Sequence, residues 1–87
     1  MGKLIKTDGT ILEIEPKNKP CFSLKEMQGF VGGYIECVYL TDDKIMVVNE
    51  EGKLNGLPLN TVATKMYNNP HDIIVGNVIV LDAKEIN

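Results

Sequence analysis

The sequence predicts an α+β fold in the order β-β-α-β-β-α-β, with a mixed or antiparallel sheet and two short helices on one face. Three observations predict it. Apolar or alternating runs of strand length recur along the chain, "KLI", "ILEI", "YIECVYL", "IMVVN" and "DIIVGNVIVLD". Two segments, "SLKEMQGFV" and "TVATKMYNN", have helical spacing and cap residues at their ends. Turn signals stand between these runs, and no linker, repeat or low-complexity stretch divides the 87 residues, so residues 1–87 form a single domain.

Each element has a local reason. Leu4 and Ile5 precede Asp8-Gly9, a strong hairpin signal, and Ile11, Leu12 and Ile14 follow it up to Pro16. Ser23 with Glu26 three residues later forms a capping box, Leu24, Met27 and Val31 share a helical face, and Gly32-Gly33 stops the helix. In "YIECVYL", alternation sets Ile35, Cys37 and Tyr39 on one face and Tyr34, Glu36, Val38 and Leu40 on the other. "TDDK" turns the chain into "IMVVN", whose unbroken apolar run predicts a strand buried on both faces. Asn60 or Thr61 caps the second helix, with Val62, Met66 and Ala63 expected to face inward and Asn68-Asn69-Pro70 ending it. The last run, 72–82, reads as one long strand with Gly76 marking a bulge or a close backbone approach.

Composition excludes several function classes. Nine lysines, no arginine and twelve acids give a net charge of −3. The lysines are scattered, and the bidentate fork that reads phosphate and guanine is missing, so nucleic-acid binding by charge is not expected. No run approaches the length of a membrane span, and "MGKLIKTDGT" has no apolar signal core. Two cysteines, Cys21 and Cys37, in no CxxC pair fit a reduced compartment, so a cytoplasmic protein without membrane partners is expected. No cofactor or metal is expected, since one histidine, two distant cysteines and scattered acids do not converge by spacing, and neither Asp42-Asp43 nor Glu50-Glu51 has calcium-loop spacing. His71 reads as a solvated loop residue and Cys37, mid-strand, as a small buried hydrophobe, with Cys21 the more exposed thiol. "GFVGG" closes a helix C-terminus and lacks the ending of a phosphate loop.

The stretch "NEEGKLNGLPLN", Asn49–Asn60, is the candidate site. Gly52 in a tight reversal, taking positive φ, would present Glu50, Glu51 and Lys53 on one rim. "GLPLN" then delivers the chain to a helix start, whose free N–H groups attract negative charge. The structural alternative is that Asn49 is a turn residue, Asn60 an N-cap, and the charges only solvate a loop.

"VGGYIECVYL", "NEEGKLNGLPLN" and "DIIVGNVIV", in that order, resemble domain-of-unknown-function family 3846, small proteins of bacteria, phages and mobile elements. The likeness covers residues 24–80. Its pattern often carries an arginine just after Gly-Leu-Pro-x-Asn, where this chain has Thr61, so no role of that arginine transfers. The family implies no activity. It does imply that loop polar residues, Asn49, Glu50, Glu51, Lys53 and Asn60 among them, belong to the signature, which favours a site over turn chemistry. Three functions follow as expectations. The first is a non-catalytic binding or regulatory module of phage or mobile-element type. Glu36, Asn49, Glu50, Glu51, Lys53 and Asn60 would hold a small polar ligand, such as a nucleotide-type signal. The second is a protein-interaction module that docks a host protein or a second copy of itself as a homodimer. The third, least favoured, is an enzyme using Glu50 or Glu51 as general acid or base.

Overall fold

The computed structural model describes residues 2–41 and 43–86. Eight elements run in the order β1 (Gly2–Ile5), β2 (Ile11–Ile14), α1 (Leu24–Val31), β3 (Ile35–Tyr39), β4 (Lys44–Asn49), α2 (Thr61–Tyr67), β5 (Val78–Asp82) and a short 3₁₀ turn, Ala83–Glu85. The α+β class and the order of strands and helices are those the sequence predicts. All five strands join one antiparallel sheet in the order β2-β1-β5-β4-β3. Sequence neighbours pair as hairpins at each edge, and β5, last in the chain, closes the sheet between β1 and β4.

The local signals explain the elements. Gly9 takes φ +94 in the first hairpin turn, where the Thr10 N–H donates to Asp8 Oδ1 at 2.8 Å. That bond is the main reason the Asp8 carboxyl titrates below its usual range. At the start of α1 the Glu26 N–H donates to Ser23 Oγ (3.1 Å) and the Ser23 N–H donates back to Glu26 Oε1 (3.0 Å), completing the capping box. Gly32, at φ +81, ends the helix by donating its N–H to the Gln28 carbonyl.

The two helices lie on opposite faces of the sheet, not on one face as the sequence predicts. On one side Met27 and Val31 of α1 pack with Phe22 against Ile45, Val47, Ile79 and Leu81. On the other, Ala63 of α2 packs with Ile5 and Ile74 against Met46, Val48 and Val78. The reason lies in β4. Successive side chains point to opposite faces, so four consecutive buried residues, Ile45–Val48, need cover on both sides. Two helices of eight and seven residues on one side would leave half of that strand in water.

Two smaller expectations change. Leu24 and Met66 stay exposed, because helices this short bring only Met27, Val31 and Ala63 fully into the core. The final strand is half its predicted length. At Gly76 (φ +76) the chain leaves the sheet, and residues 72–77 run instead beside the 57–60 stretch, with Val75 bridging Leu59 and the Gly76 N–H donating to the Pro58 carbonyl at 2.8 Å. In the "TDDK" turn Asp42 lies outside the described residues. No helix among the described residues is long and apolar enough to cross a membrane.

Cover on both faces makes a direct prediction. Leu81→Ala on the α1 side and Met46→Ala on the α2 side should each cost about 2–5 kcal/mol in urea unfolding, the range for truncating a fully buried side chain. A loss near zero for either would mean that its face is open.

Candidate functional site

The 49–60 stretch leaves the end of β4 and crosses to the start of α2. It begins with Asn49, whose side chain is buried and turned inward. Its Nδ2 donates to the Val31 carbonyl (3.1 Å) at the end of α1, and its Oδ1 accepts the Glu51 N–H (2.8 Å). Asn49 therefore fastens the turn to α1 and forms an Asx turn on its own chain. Residues 50–56 coil tightly. The Gly52 N–H donates to the Asn49 carbonyl, the Asn55 N–H to that of Glu51, and the Leu57 N–H to that of Gly52.

Gly52 is required, for a different reason from the one its sequence position suggests. Its φ is not positive; Gly56 takes that role at +68. A Cβ on Gly52 would stand 2.9 Å from Val75 Cγ2 and 3.3 Å from the Asn49 carbonyl oxygen, so any side chain there would force Val75 to shift and crowd the turn.

The far end of the stretch is Asn60, which is fully buried. Its Oδ1 caps α2 by accepting the Ala63 N–H (3.0 Å), while its Nδ2 donates to the carbonyls of Ile5 (3.0 Å) and Gly76 (2.9 Å). Its backbone N–H donates to the Ile74 carbonyl and its carbonyl accepts the Thr64 N–H. Every group that an asparagine can offer a ligand is thus committed within the fold.

The charged residues divide between two depressions. Glu36 from β3, Glu50, and Lys53 line a cleft of about 100 Å³ together with Asp72, and Val38, Val48, Ile73 and Ile74 contribute apolar surface to it. Glu51 instead borders a shallower, open depression beside α1, with Lys25, Gln28, Tyr34 and Asn55. Glu50, Glu51 and Lys53 therefore do not share one rim. The buried side chain of Asn49 touches both depressions from beneath.

Within the cleft, Lys53 is already paired. Its Nζ donates to Asp72 Oδ1, an ion pair between the coil and the segment before β5. That bond, with the Ile73 N–H donating to the same oxygen, holds the Asp72 carboxyl below its usual range. Asp72 is the cleft residue that scanning Asn49–Asn60 alone misses, and its family-signature place in "DIIVG" was the available signal. Glu36 and Glu50 have no ion pair or side-chain hydrogen bond among the described residues.

The other candidates lie apart. His71 is exposed, its backbone N–H bonded to Asn69 Oδ1. Cys37 is the exposed thiol and Cys21 the half-buried one, the reverse of the sequence expectation, because β3 is an edge strand whose outer residues lack a covering neighbour. Among the described residues no three His, Cys, Asp or Glu side chains are placed to hold a metal ion.

Two outcomes test this division between structural and free polar groups. Asn60→Ala should cost about 2–4 kcal/mol, since it removes a cap and leaves two carbonyls without their donor. The second concerns pH. Because folding lowers the Asp72 midpoint below its reference value of 3.8, the stabilisation is complete above that value and is lost as pH falls through the folded midpoint. Lys53→Met should move the Asp72 midpoint, followed by NMR, back up toward 3.8.

No curated protein and no solved structure matches the chain. The sequence profile of a domain of unknown function (DUF3846) matches residues 5–87, nearly its whole length. The chain, with its capped connection and the cleft beside it, belongs to that family.

Proposed function

We propose that this chain is a non-catalytic binding module, of the regulatory kind found in phages and mobile elements, and that its recognition surface is the cleft between Glu36 and Glu50. One observation carries the reading. Two carboxylates without partners among the described residues, one from β3 and one just after β4, stand at a cleft that also offers the apolar side chains of Val38, Val48, Ile73 and Ile74. Lys53 is neutralised by Asp72, so the uncompensated charge of the cleft is negative.

Sign and size define the ligand class. Pockets for drug-sized molecules run to about 300–1,000 Å³. A cleft of about 100 Å³ holds one small group, and a nucleotide has the wrong charge for two free carboxylates. The complement is an ammonium on a short alkyl stem, whether a free amine or the lysine side chain of a protein. The stem would cover Ile73 and Val38 while the cation meets Glu36 and Glu50. No histidine, cysteine or serine lines the cleft to act as a nucleophile beside the carboxylates, which supports binding over catalysis.

The test is an NMR titration with butylamine, cadaverine and N-acetyl-lysine amide, with AMP as the anionic control. Amines should shift the backbone resonances of Glu36, Glu50 and Ile73. The double substitution Glu36→Gln, Glu50→Gln should weaken their affinity at least about tenfold, roughly 1.4 kcal/mol, without unfolding the protein. Shifts with AMP and none with amines, or equal amine affinity in the double variant, would contradict the reading.

A further inference from the structure

The outer edge of β3 is the second feature of the fold that calls for a partner. In an antiparallel ladder, alternate residues turn their N–H and C=O toward one neighbouring strand and the rest turn them away. Two hydrogen bonds fix this phase in β3. The Glu50 N–H donates to the Tyr34 carbonyl at 2.8 Å, and the Leu40 N–H donates to the Lys44 carbonyl at 3.0 Å, both in register with the β3–β4 pairing. The even-numbered residues therefore bond to β4. Ile35, Cys37 and Tyr39 direct their backbone groups outward, along an edge that no strand among the described residues covers.

The two sheet edges are not alike. At the opposite edge, the Lys6 N–H donation to the Thr10 carbonyl shows that β2 presents only Ile11 and Glu13 outward, and Pro16 follows just after the strand. A charge, a short strand and a nearby proline are the usual protections of an edge. The β3 edge also carries one charge, Glu36, but it is a residue longer, has an unbroken register, no lysine, no proline and no bulge, and leaves Tyr39 74% exposed.

We propose that the β3 edge pairs with the same edge of a second copy of this chain, antiparallel about a two-fold axis at Cys37. The inference is independent of what the cleft binds. Outward residues must face outward residues, which leaves three close two-fold registers. Centring on Glu36 sets two carboxylates directly opposite each other, an unfavourable pair. Centring on Val38 carries Ile35 past the end of the partner's strand. Centring on Cys37 uses the whole of β3. Ile35 then faces the partner's Tyr39, Cys37 faces the partner's Cys37, and each of these pairs exchanges two backbone hydrogen bonds. Tyr39 covers Ile35 in an aromatic–β-branched pair, and Glu36 faces the partner's Val38 rather than another charge. The two five-stranded sheets become one continuous sheet. Because Glu36 and Val38 also line the cleft, the two clefts lie side by side across the axis.

Disulfide trapping tests the register. Directly opposed hydrogen-bonded residues have Cα atoms about 5.5 Å apart, within disulfide reach. In a Cys21→Ser, Cys37→Ser background, the Ile35→Cys and Tyr39→Cys variants are oxidised mildly, alone and mixed. The disulfide dimer should form in the mixture and not in either variant alone. Equal dimer in the single-variant samples, or none in the mixture, would overturn the proposal. Sedimentation supplies the second reading. The unaltered protein should show a dimer that grows with concentration, lost in Cys37→Pro, which removes an outward N–H and no hydrogen bond to β4, and in Tyr39→Lys, which adds an edge charge. A protein that sediments as a monomer throughout, or a dimer that survives both substitutions, would equally overturn it.

Discussion

The fold depends on the side chain of Asn60. Among the described residues it is the one polar residue with no exposed surface, and it joins three separate parts of the chain at once. It caps α2 and donates to β1 at Ile5 and to the turn at Gly76, where the last segment enters the sheet. An uncapped helix of seven residues would have little stability of its own. Asn60 converts that weak helix into a lid on the second face of the sheet, and the buried side of β4 requires such a lid. Asn49 does the equivalent for the first face by tying the end of β4 to the last carbonyl of α1. The polar connection between them is held at both ends by buried amides, which leaves its charged residues free to face outward.

Most of the architecture was legible in the sequence because its determinants are local. The Asp8-Gly9 turn, the Ser23–Glu26 capping box, the glycine stop at Gly32 and the alternation in "YIECVYL" each need only a few neighbouring residues, and each appears as read. The side on which the helices lie was also encoded. "IMVV" called for cover on both faces, and placing both helices on one face conflicted with that requirement. The late start of the last strand was harder to see. "DIIVGNVIV" is apolar throughout, and only the tertiary need to line the 57–60 stretch draws residues 72–77 out of the sheet at Gly76.

The candidate site was legible in part, for the same reason. Sequence composition cannot distinguish an asparagine that holds the chain from one that would hold a ligand, since both are polar loop residues. Asn49 and Asn60 turn inward, while Glu36, Glu50 and Lys53 meet at the cleft only because β3 and β4 pair in their observed register. Asp72 arrives from a distant part of the chain and takes up the charge of Lys53, so the cleft keeps the full negative charge of Glu36 and Glu50. Cys37 is exposed, against the sequence expectation, because β3 lies at the edge of the sheet, and strand order is not a local property.

The central claim is that Asn49 and Asn60 are structural anchors, while Glu50 and Glu51 between them make no ion pair among the described residues. Hydrogen exchange of the asparagine side-chain amides, resolved by NMR, tests it most directly. Both Nδ2 protons of Asn60 are bonded to buried carbonyls, so they should persist as long as the backbone amides of β5, while those of Asn18, in an exposed loop, exchange at once. Exchange of the Asn60 amide at the rate of Asn18 would contradict the account, because an asparagine that opens freely to water cannot be the anchor of both α2 and the strand beside it.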